Sequence, residues 1–344
     1  MYDAFFGLRE RPFDLTPDPR YLVLTAAHRE ALSSIEYGIA SRKGITLLVG
    51  EAGLGKTTVI RAALARAQSR VHCVHLHNPA LTRDEFIEML AAMFDLSAAA
   101  RRSKAALLLE LESLLRQREA AGETTVLIVD EAQSLPLELL EEVRLLANIE
   151  TNERKLLSVI MAGQPELAAR LNEQALRQLK QRVALRCTLR PLTAQETAAY
   201  LAGRLAAAGG AGAIQVFTRE AVAAVHEASK GIPRTISVIA DNVLLTAFAV
   251  GVRPATRQIV LDVCKDFDLP ATGDVAPTVA APPVNGHPVP VANHGALLFV
   301  EEPSQVTASS SSPRGAAVAV DEDPSPRGMF SGWFAKRRPF SLFV

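Results

Sequence analysis

The sequence has no excess of either sign of charge, since 37 Lys and Arg residues balance 37 Asp and Glu residues over 344 positions. A neutral chain has no overall electrostatic attraction for nucleic acid or for an anionic membrane, so such a partner would need a local basic patch. Hydrophobic residues make up 49% of the chain, which is enough for a sizeable core. The length suits about two domains and a tail.

Cysteine is scarce. The three cysteines, Cys73, Cys187 and Cys264, are too far apart for the spacing of a metal site or a disulfide framework. Cys73 and Cys187 lie in apolar, strand-like segments. We therefore expect both to be buried, reduced thiols, as suits a cytoplasmic protein.

Long apolar runs are also missing from the sequence. No run approaches the roughly 18–20 residues that cross a bilayer. Charges and prolines interrupt residues 1–20, so we expect no N-terminal signal peptide. These features favour a cytoplasmic location.

The sequence does contain one highly specific motif, a match to G-x-x-x-x-G-K-[ST]. The apolar run Ile45–Val49 before it predicts a buried strand, and residues 57–68 after it have the apolar spacing of a helix. A strand, a Gly-rich turn and a helix start together predict a phosphate-binding loop (P-loop). Its residues are Gly50, Glu51, Ala52, Gly53, Leu54, Gly55, Lys56 and Thr57, followed by Thr58.

The chemistry of this loop predicts binding of Mg-ATP. Backbone N–H groups and the helix dipole would attract the β-phosphate, and glycines allow the main chain to approach it closely. Lys56 would reach the β- and γ-phosphates, and the Thr57 hydroxyl would be one ligand of Mg²⁺. ATP and Mg²⁺ are therefore the expected cofactors.

A second motif is a β-branched run, residues 125–129, that is followed directly by two carboxylates, Asp130 and Glu131. Asp130 would hold Mg²⁺ through water. Glu131 would act as the base that polarises the water attacking the γ-phosphate. An acidic turn after a strand is the simpler alternative, but the position after the P-loop favours a Walker B motif.

Strands and helices alternate over residues 44–191. Five buried strands separated by helices predict an α/β fold, in which helices flank a five-stranded parallel sheet of the P-loop NTPase type. Residues 1–43 form an N-terminal segment. Its first part is Pro-rich, and the prolines exclude a long helix there. A helix is predicted after this part, over residues 26–41.

Residues 192–268 have a different pattern, with four predicted helices and no strand. Thr193 with Glu196 predicts a capping box, and Thr218 with Glu220 a looser one. The rest is Pro-, Ala- and Ser-rich, so we expect a disordered linker over residues 269–325. Residues 326–344 hold the single tryptophan beside a Lys-Arg-Arg cluster. They predict a tail element that docks on a membrane surface or a protein, or else a frayed end.

The order of these motifs resembles the base and lid of AAA+ ATPases. More narrowly, residues 1–268 resemble the general secretion pathway protein A family of secretion ATPases, which includes relatives linked to pilus and exopolysaccharide export. The motifs that carry the resemblance are Phe5–Leu8, Pro12–Phe13, Leu15–Tyr21, Gly50–Thr58, Val129–Gln133, Gly163–Leu167 and Gly231–Arg234.

The resemblance implies roles for three further residues. Gln164 matches the sensor-1 position, which holds the attacking water or the γ-phosphate, although a turn residue is the alternative. Arg182 matches the arginine that reaches the γ-phosphate of a neighbouring subunit, with Arg177 and Arg186 as competing candidates. Arg234 matches the sensor-2 arginine that couples the lid to the nucleotide. Surface arginines are the alternative for Arg182 and Arg234.

The resemblance also implies partners. It implies an ATP-dependent homo-oligomer that drives assembly or remodelling of a secretion or export machinery, and that stays cytoplasmic or attaches peripherally to the inner membrane. It places the N-terminal segment, residues 1–43, near the nucleotide. Two alternatives stay open: a DNA-linked AAA+ ATPase of the transposition-helper or origin-initiator kind, and a slow nucleotide-dependent switch.

Two further patterns receive less weight. The alternating histidines at positions 72, 75 and 77 have no Cys or acidic companions at suitable spacing, so a metal site is disfavoured. A run of basic residues more often forms a solvated or subunit-facing edge than a nucleic-acid surface. Its members are Arg177, Lys180, Arg182, Arg186 and Arg190.

Overall fold

A computed structural model describes residues 1–14, 24–67, 70–76, 81–209 and 216–269. The predicted linker and tail, residues 269–325 and 326–344, lie outside the described residues apart from Leu269, as does His77. Among the described helices, none is both long enough and apolar enough to cross a membrane.

The centre of the fold is a five-stranded, fully parallel sheet, as predicted. The strands are β1 (Ile45–Val49), β2 (Val71–Leu76), β3 (Thr124–Val129), β4 (Leu157–Gly163) and β5 (Val183–Thr188). Their order across the sheet is β2-β3-β4-β1-β5. The register pairs Leu47 of β1 with Met161 of β4 on one side and with Arg186 of β5 on the other.

Helices cover both faces of the sheet. One face packs against α4 (Arg83–Met93), α5 (Lys104–Ala120), α6 (Leu137–Leu146), α7 (Pro165–Arg170) and α8 (Arg177–Arg182). The other face packs against α2 (Ala26–Ala40) and α3 (Lys56–Arg66). Along β3, Leu127 and Val129 enter the first cluster, whereas Val126 and Ile128 enter the second. Burial on both faces explains why the central strands are continuously apolar.

Four helices follow the sheet and form what we call the helical module: α9 (Ala194–Ala207), α10 (Arg219–Ser229), α11 (Pro233–Ala249) and α12 (Arg257–Asp266). All four lie within residues 192–268, where the sequence predicts four helices. The Thr193–Glu196 capping box is confirmed. Thr218 instead caps α10 alone, because its hydroxyl accepts from the Ala221 N–H at 3.1 Å and Glu220 takes no part.

The N-terminal segment divides between the two cores. A short helix, α1 (Tyr2–Phe6), packs with Phe13 into the apolar cluster of the helical module, whereas α2 belongs to the α/β core. Buried Arg204 holds the first part in place: its guanidinium donates to the carbonyl oxygens of Pro12 at 2.6 Å and Asp14 at 2.9 Å.

The prediction that Cys73 and Cys187 are both buried is half wrong. Cys187 is buried in the apolar cluster under α2 and α3, whereas Cys73 is exposed and belongs to neither apolar cluster of the sheet. Both cysteines lie on edge strands, so the position of the strand does not explain the difference.

Candidate functional site

The predicted P-loop connects β1 to α3 at the carboxyl edge of the sheet. Its first residue is tied to the sheet, because the Gly50 N–H donates to the Gly163 carbonyl of β4 at 3.1 Å. Gly53 and Gly55 have φ angles of +83° and +90°, in the left-handed region that favours glycine. Leu54 between them is fully buried and anchors the loop in the core, while Glu51 and Ala52 are exposed.

The start of α3 suits an anion. Gly55 is the N-cap residue and supplies no side-chain acceptor to the first turn, which contains Thr57 and half-buried Thr58. The first N–H groups of a helix have no partner inside the helix, and its dipole favours negative charge. This turn can therefore donate several N–H groups to a phosphate.

Lys56 folds back across the loop. It is only 5% exposed, and its ammonium donates to the carbonyl oxygens of Gly50 at 2.8 Å and Glu51 at 3.2 Å. A buried ammonium needs hydrogen-bond acceptors, and these two carbonyls supply them. The positive charge is therefore held inside the loop where a phosphate would bind.

The two predicted metal ligands lie side by side. The Thr57 hydroxyl donates to Oδ2 of Asp130 at 2.8 Å, and the other carboxylate oxygen of Asp130 accepts from the Glu131 N–H at 3.0 Å. His75 also approaches, with Nε2 3.9 Å from Oδ2 of Asp130. Hydroxyl and carboxylate oxygens are ligands that Mg²⁺ prefers, so the residues present fit this ion.

Glu131 and Gln164 are brought together by a residue to which the sequence analysis assigned no role. The Gln133 side chain donates to Oε2 of Glu131 at 2.6 Å and accepts from the Gln164 N–H at 3.0 Å. The Gln164 side chain also donates to Oε2 of Glu131, at 3.4 Å. Glu131 itself has a φ of +51°, which is uncommon for a residue with a side chain.

Arg234 lies beside the P-loop. Its N–H donates to the Gly53 carbonyl at 3.2 Å, and its side chain is exposed. A Cβ atom on Gly53 would lie only 2.8 Å from Cβ of Arg234. The first turn of α11 therefore touches the loop directly, and the contact leaves no room for a side chain at position 53.

His28 of α2 contacts the opposite side of the loop. Its imidazole is buried, with Nδ1 2.7 Å from the Thr25 hydroxyl and Nε2 3.1 Å from the Leu54 carbonyl. Burial lowers the pKa of His28 below its usual value. The neutral ring satisfies both contacts when Nε2 carries the proton, because Nδ1 then accepts from Thr25.

Arg182 lies away from the other predicted residues. It is exposed at the end of α8, just before β5, and so at the amino edge of the sheet. Because β5 runs parallel to β1, the length of the strand, about 16 Å, separates it from the P-loop edge. The competing arginines, Arg177 and Arg186, are exposed too. Arg182 therefore does not reach the phosphate-binding loop of its own chain.

The histidines and basic residues have ordinary contacts. Nε2 of His72 lies 2.6 Å from Oε2 of Glu123, and this hydrogen bond is the main reason that the pKa of Glu123 is lowered. Within the described ranges, no group of three or more His, Cys, Asp or Glu side chains could hold a metal ion. Lys180 donates to Oδ1 of Asn172 at 2.7 Å.

Comparison with known proteins is consistent with this geometry. Residues 39–171 match the AAA domain family. Over 252 residues, or 73% of its length, the chain is 41% identical to "General secretion pathway protein A" of Aeromonas hydrophila. This chain contains an AAA domain and is related to general secretion pathway protein A. The matched region spans 46% of that relative's length.

Solved structures agree on the fold. The Aeropyrum pernix ORC2 protein, solved as ADPNP and ADP complexes, superposes with a TM-score of 0.58 at 17% identity, covering 75% of this chain and 71% of that one. Drosophila ORC bound to DNA gives a TM-score of 0.57 at 18% identity, covering 78% of this chain and 66% of that one. At such low identity the likeness concerns the fold alone.

Proposed function

We propose that this AAA-family protein binds Mg-ATP at the P-loop and hydrolyses it. The observation that carries the proposal is the hydrogen bond between Thr57 and Asp130, which joins the P-loop helix to the end of β3. It supports one site that holds the phosphates, the metal and the base together. Thr57 and Asp130 would hold Mg²⁺, which when bound neutralises charge on the β- and γ-phosphate oxygens.

The protein's own groups then divide the chemistry. Lys56 and the first N–H groups of α3 bind the phosphates. Glu131 takes a proton from water as the water oxygen attacks the γ-phosphorus, and the bond to the leaving ADP oxygen breaks with its electron pair on ADP. Gln164, beside Glu131, holds the attacking water or the γ-phosphate. Arg234, in contact with Gly53, links the helical module to the bound nucleotide.

We further propose that the protein assembles with copies of itself when ATP is bound. The exposed position of Arg182, far from its own P-loop, supports a role at the site of a neighbouring copy. A guanidinium suits that role because it stays charged and can bind phosphate oxygens in pairs.

The relationship to general secretion pathway protein A supports a partner in a secretion or export machinery. The nucleotide cycle would drive assembly or remodelling of that partner. The site would lie in the cytoplasm, with peripheral contact at the inner membrane through residues 326–344. Co-sedimentation with anionic vesicles, comparing the full chain with a version ending at Ser325, tests this contact. Equal binding by both would refute it.

The decisive experiment measures ATP binding and turnover in Glu131→Gln. This change keeps the size of the side chain and removes the base, so we expect unchanged ATP affinity and turnover reduced by about 10²- to 10⁴-fold. Glu138→Gln, at an exposed position on α6, is the matched control and should behave like wild type. Normal hydrolysis by Glu131→Gln would refute the assigned base.

A second candidate function is an ATPase that acts on DNA. The observation in its favour is that five basic residues in and just after α8 and β5 are all exposed: Arg177, Lys180, Arg182, Arg186 and Arg190. Binding through such residues would weaken steeply with salt. Titration of labelled duplex DNA at 50 and 200 mM salt tests it, and saturable, salt-sensitive binding lost in Arg186→Ala would support it over a secretion role.

A further inference from the structure

We infer that Gln133 is a positioning residue, which sets the carboxylate of Glu131 in a defined orientation beside Gln164. The inference rests on the proposed ATP hydrolysis and names a side chain that the P-loop and Walker B patterns leave without a role. Gln133 lies in the short 3₁₀ turn Ala132–Ser134 that follows β3.

The Gln133 amide uses both of its ends. The Gln164 N–H can only donate and the Glu131 carboxylate can only accept, so Oε1 of Gln133 must face the first and Nε2 the second. One side chain therefore connects the end of β3 to the end of β4. The planar amide places this donor and this acceptor on one group.

The contacts on Glu131 converge on one oxygen. Both Gln133 at 2.6 Å and Gln164 at 3.4 Å donate to Oε2. Two donors on the same oxygen define the rotation of the carboxylate, and hydrogen bonds to an ionised group are roughly twice as strong as neutral ones. A base must face its proton within hydrogen-bond reach, so its orientation affects the rate directly.

The turn that carries Gln133 is itself held in place. Nη1 of Arg170, on α7, donates to the main-chain carbonyls of Gln133 at 2.6 Å and Leu135 at 2.8 Å. Gly163 completes the fit, because a Cβ atom there would lie 2.9 Å from Oε1 of Gln133 and 2.7 Å from Cδ2 of Leu167. The close approach of β4 to the amide is therefore built into the main chain.

Three variants separate positioning from a structural role in the turn. Gln133→Glu keeps the acceptor for the Gln164 N–H but replaces the donor to Glu131 with a second carboxylate. Gln133→Met removes both contacts at similar size. Gln117→Glu makes the same charge change at an exposed position of α5 and serves as the control.

We expect both Gln133 variants to bind ATP within about twofold of wild type and to lose about 10- to 100-fold in kcat. The loss should therefore appear in kcat and not in the KM for ATP. Gln117→Glu should leave both constants unchanged. A purely structural role predicts a lower melting temperature and weaker ATP binding together with the lower kcat, which would overturn the inference.

A readout without nucleotide keeps the two proposals distinguishable. In protein labelled with ¹⁵N-glutamine, the Gln133 side-chain NH₂ resonance, assigned by its loss in Gln133→Met, should change position in Glu131→Gln, which removes the charged acceptor. It should keep its position in Glu138→Gln. A Gln133 resonance that does not change when Glu131 is replaced would overturn this inference but not the proposed function. Wild-type protein that does not turn over ATP would overturn the proposed function.

Discussion

The Thr57 hydroxyl lies 2.8 Å from the Asp130 carboxylate, although 73 residues separate them in the chain. The contact joins the first turn of α3 to the end of β3, two elements that follow different strands of one parallel sheet. Since β4 lies between β1 and β3, the ends of all three strands face one site.

Replacing Lys56 with Ala should abolish measurable ATP binding by calorimetry. The change removes a buried ammonium held by the Gly50 and Glu51 carbonyls, and with it the positive charge inside the loop. Lys265→Ala, at an exposed position in the last turn of α12, is the control and should bind normally. Unchanged affinity in a folded Lys56→Ala protein would refute the P-loop assignment.

Gly53→Ala should destabilise the protein more than Gly122→Ala. Both glycines have positive φ, +83° and +75°, so either substitution costs about 1–2 kcal/mol of backbone strain. Only at Gly53 does the new Cβ atom meet another residue, Arg234 at 2.8 Å, whereas nothing lies within 4 Å at Gly122. Urea unfolding measures the difference.

ATP affinity provides a second readout for this pair. We expect Gly53→Ala to weaken ATP binding because it separates α11 from the loop, and Gly122→Ala to leave it unchanged. Equal stability and equal ATP affinity of the two variants would show that the contact between Gly53 and Arg234 contributes to neither folding nor ATP binding.

Mixing two inactive variants should restore part of the ATPase activity. Arg182→Ala lacks the cation proposed to act on a neighbouring copy, and Lys56→Ala lacks a nucleotide site but still carries Arg182. A mixed interface therefore contains one complete site. Arg177→Ala and Arg186→Ala, mixed in the same way, identify which arginine acts. Full activity of Arg182→Ala alone would exclude Arg182.

The free energy of unfolding should decrease as the pH is lowered through the range in which His28 titrates. Burial lowers the folded-state pKa of His28 below its usual 6.5, so the unfolded chain binds this proton more readily. The stabilisation from neutral His28 is complete above about pH 6.5 and decreases as the pH falls towards the folded-state pKa. Urea unfolding at pH 7.5 and 5.5 should show a larger loss in wild type than in His28→Gln. An equal loss would contradict the prediction.

Local patterns predicted most of the fold. Apolar runs predicted the bounds of β1 and β3 within one residue, because parallel strands buried on both faces are continuously hydrophobic. Caps and apolar spacing located the helices of the module. Two short helices, α1 and α7, were not predicted, since five or six residues carry too little periodicity.

The predictions that failed or stayed incomplete depend on long-range contacts. Cys73 has the apolar neighbours of a buried residue, yet it is exposed and belongs to neither apolar cluster of the sheet. Arg170 carries no local signal, because the carbonyls to which it donates lie on another element. A Gln two residues after the paired acids was the one available hint for Gln133.

The sequence by itself determined the phosphate-binding loop, because Gly50–Thr57 forms its cradle from consecutive residues whose spacing and backbone freedom are local properties. Only the tertiary structure decided which side chains face that loop. The strand order sets Asp130, Glu131 and Gln164 beside Thr57, and puts Arg182 at the opposite edge. Strand order follows from packing helices on both faces at once, and no short stretch of sequence encodes that.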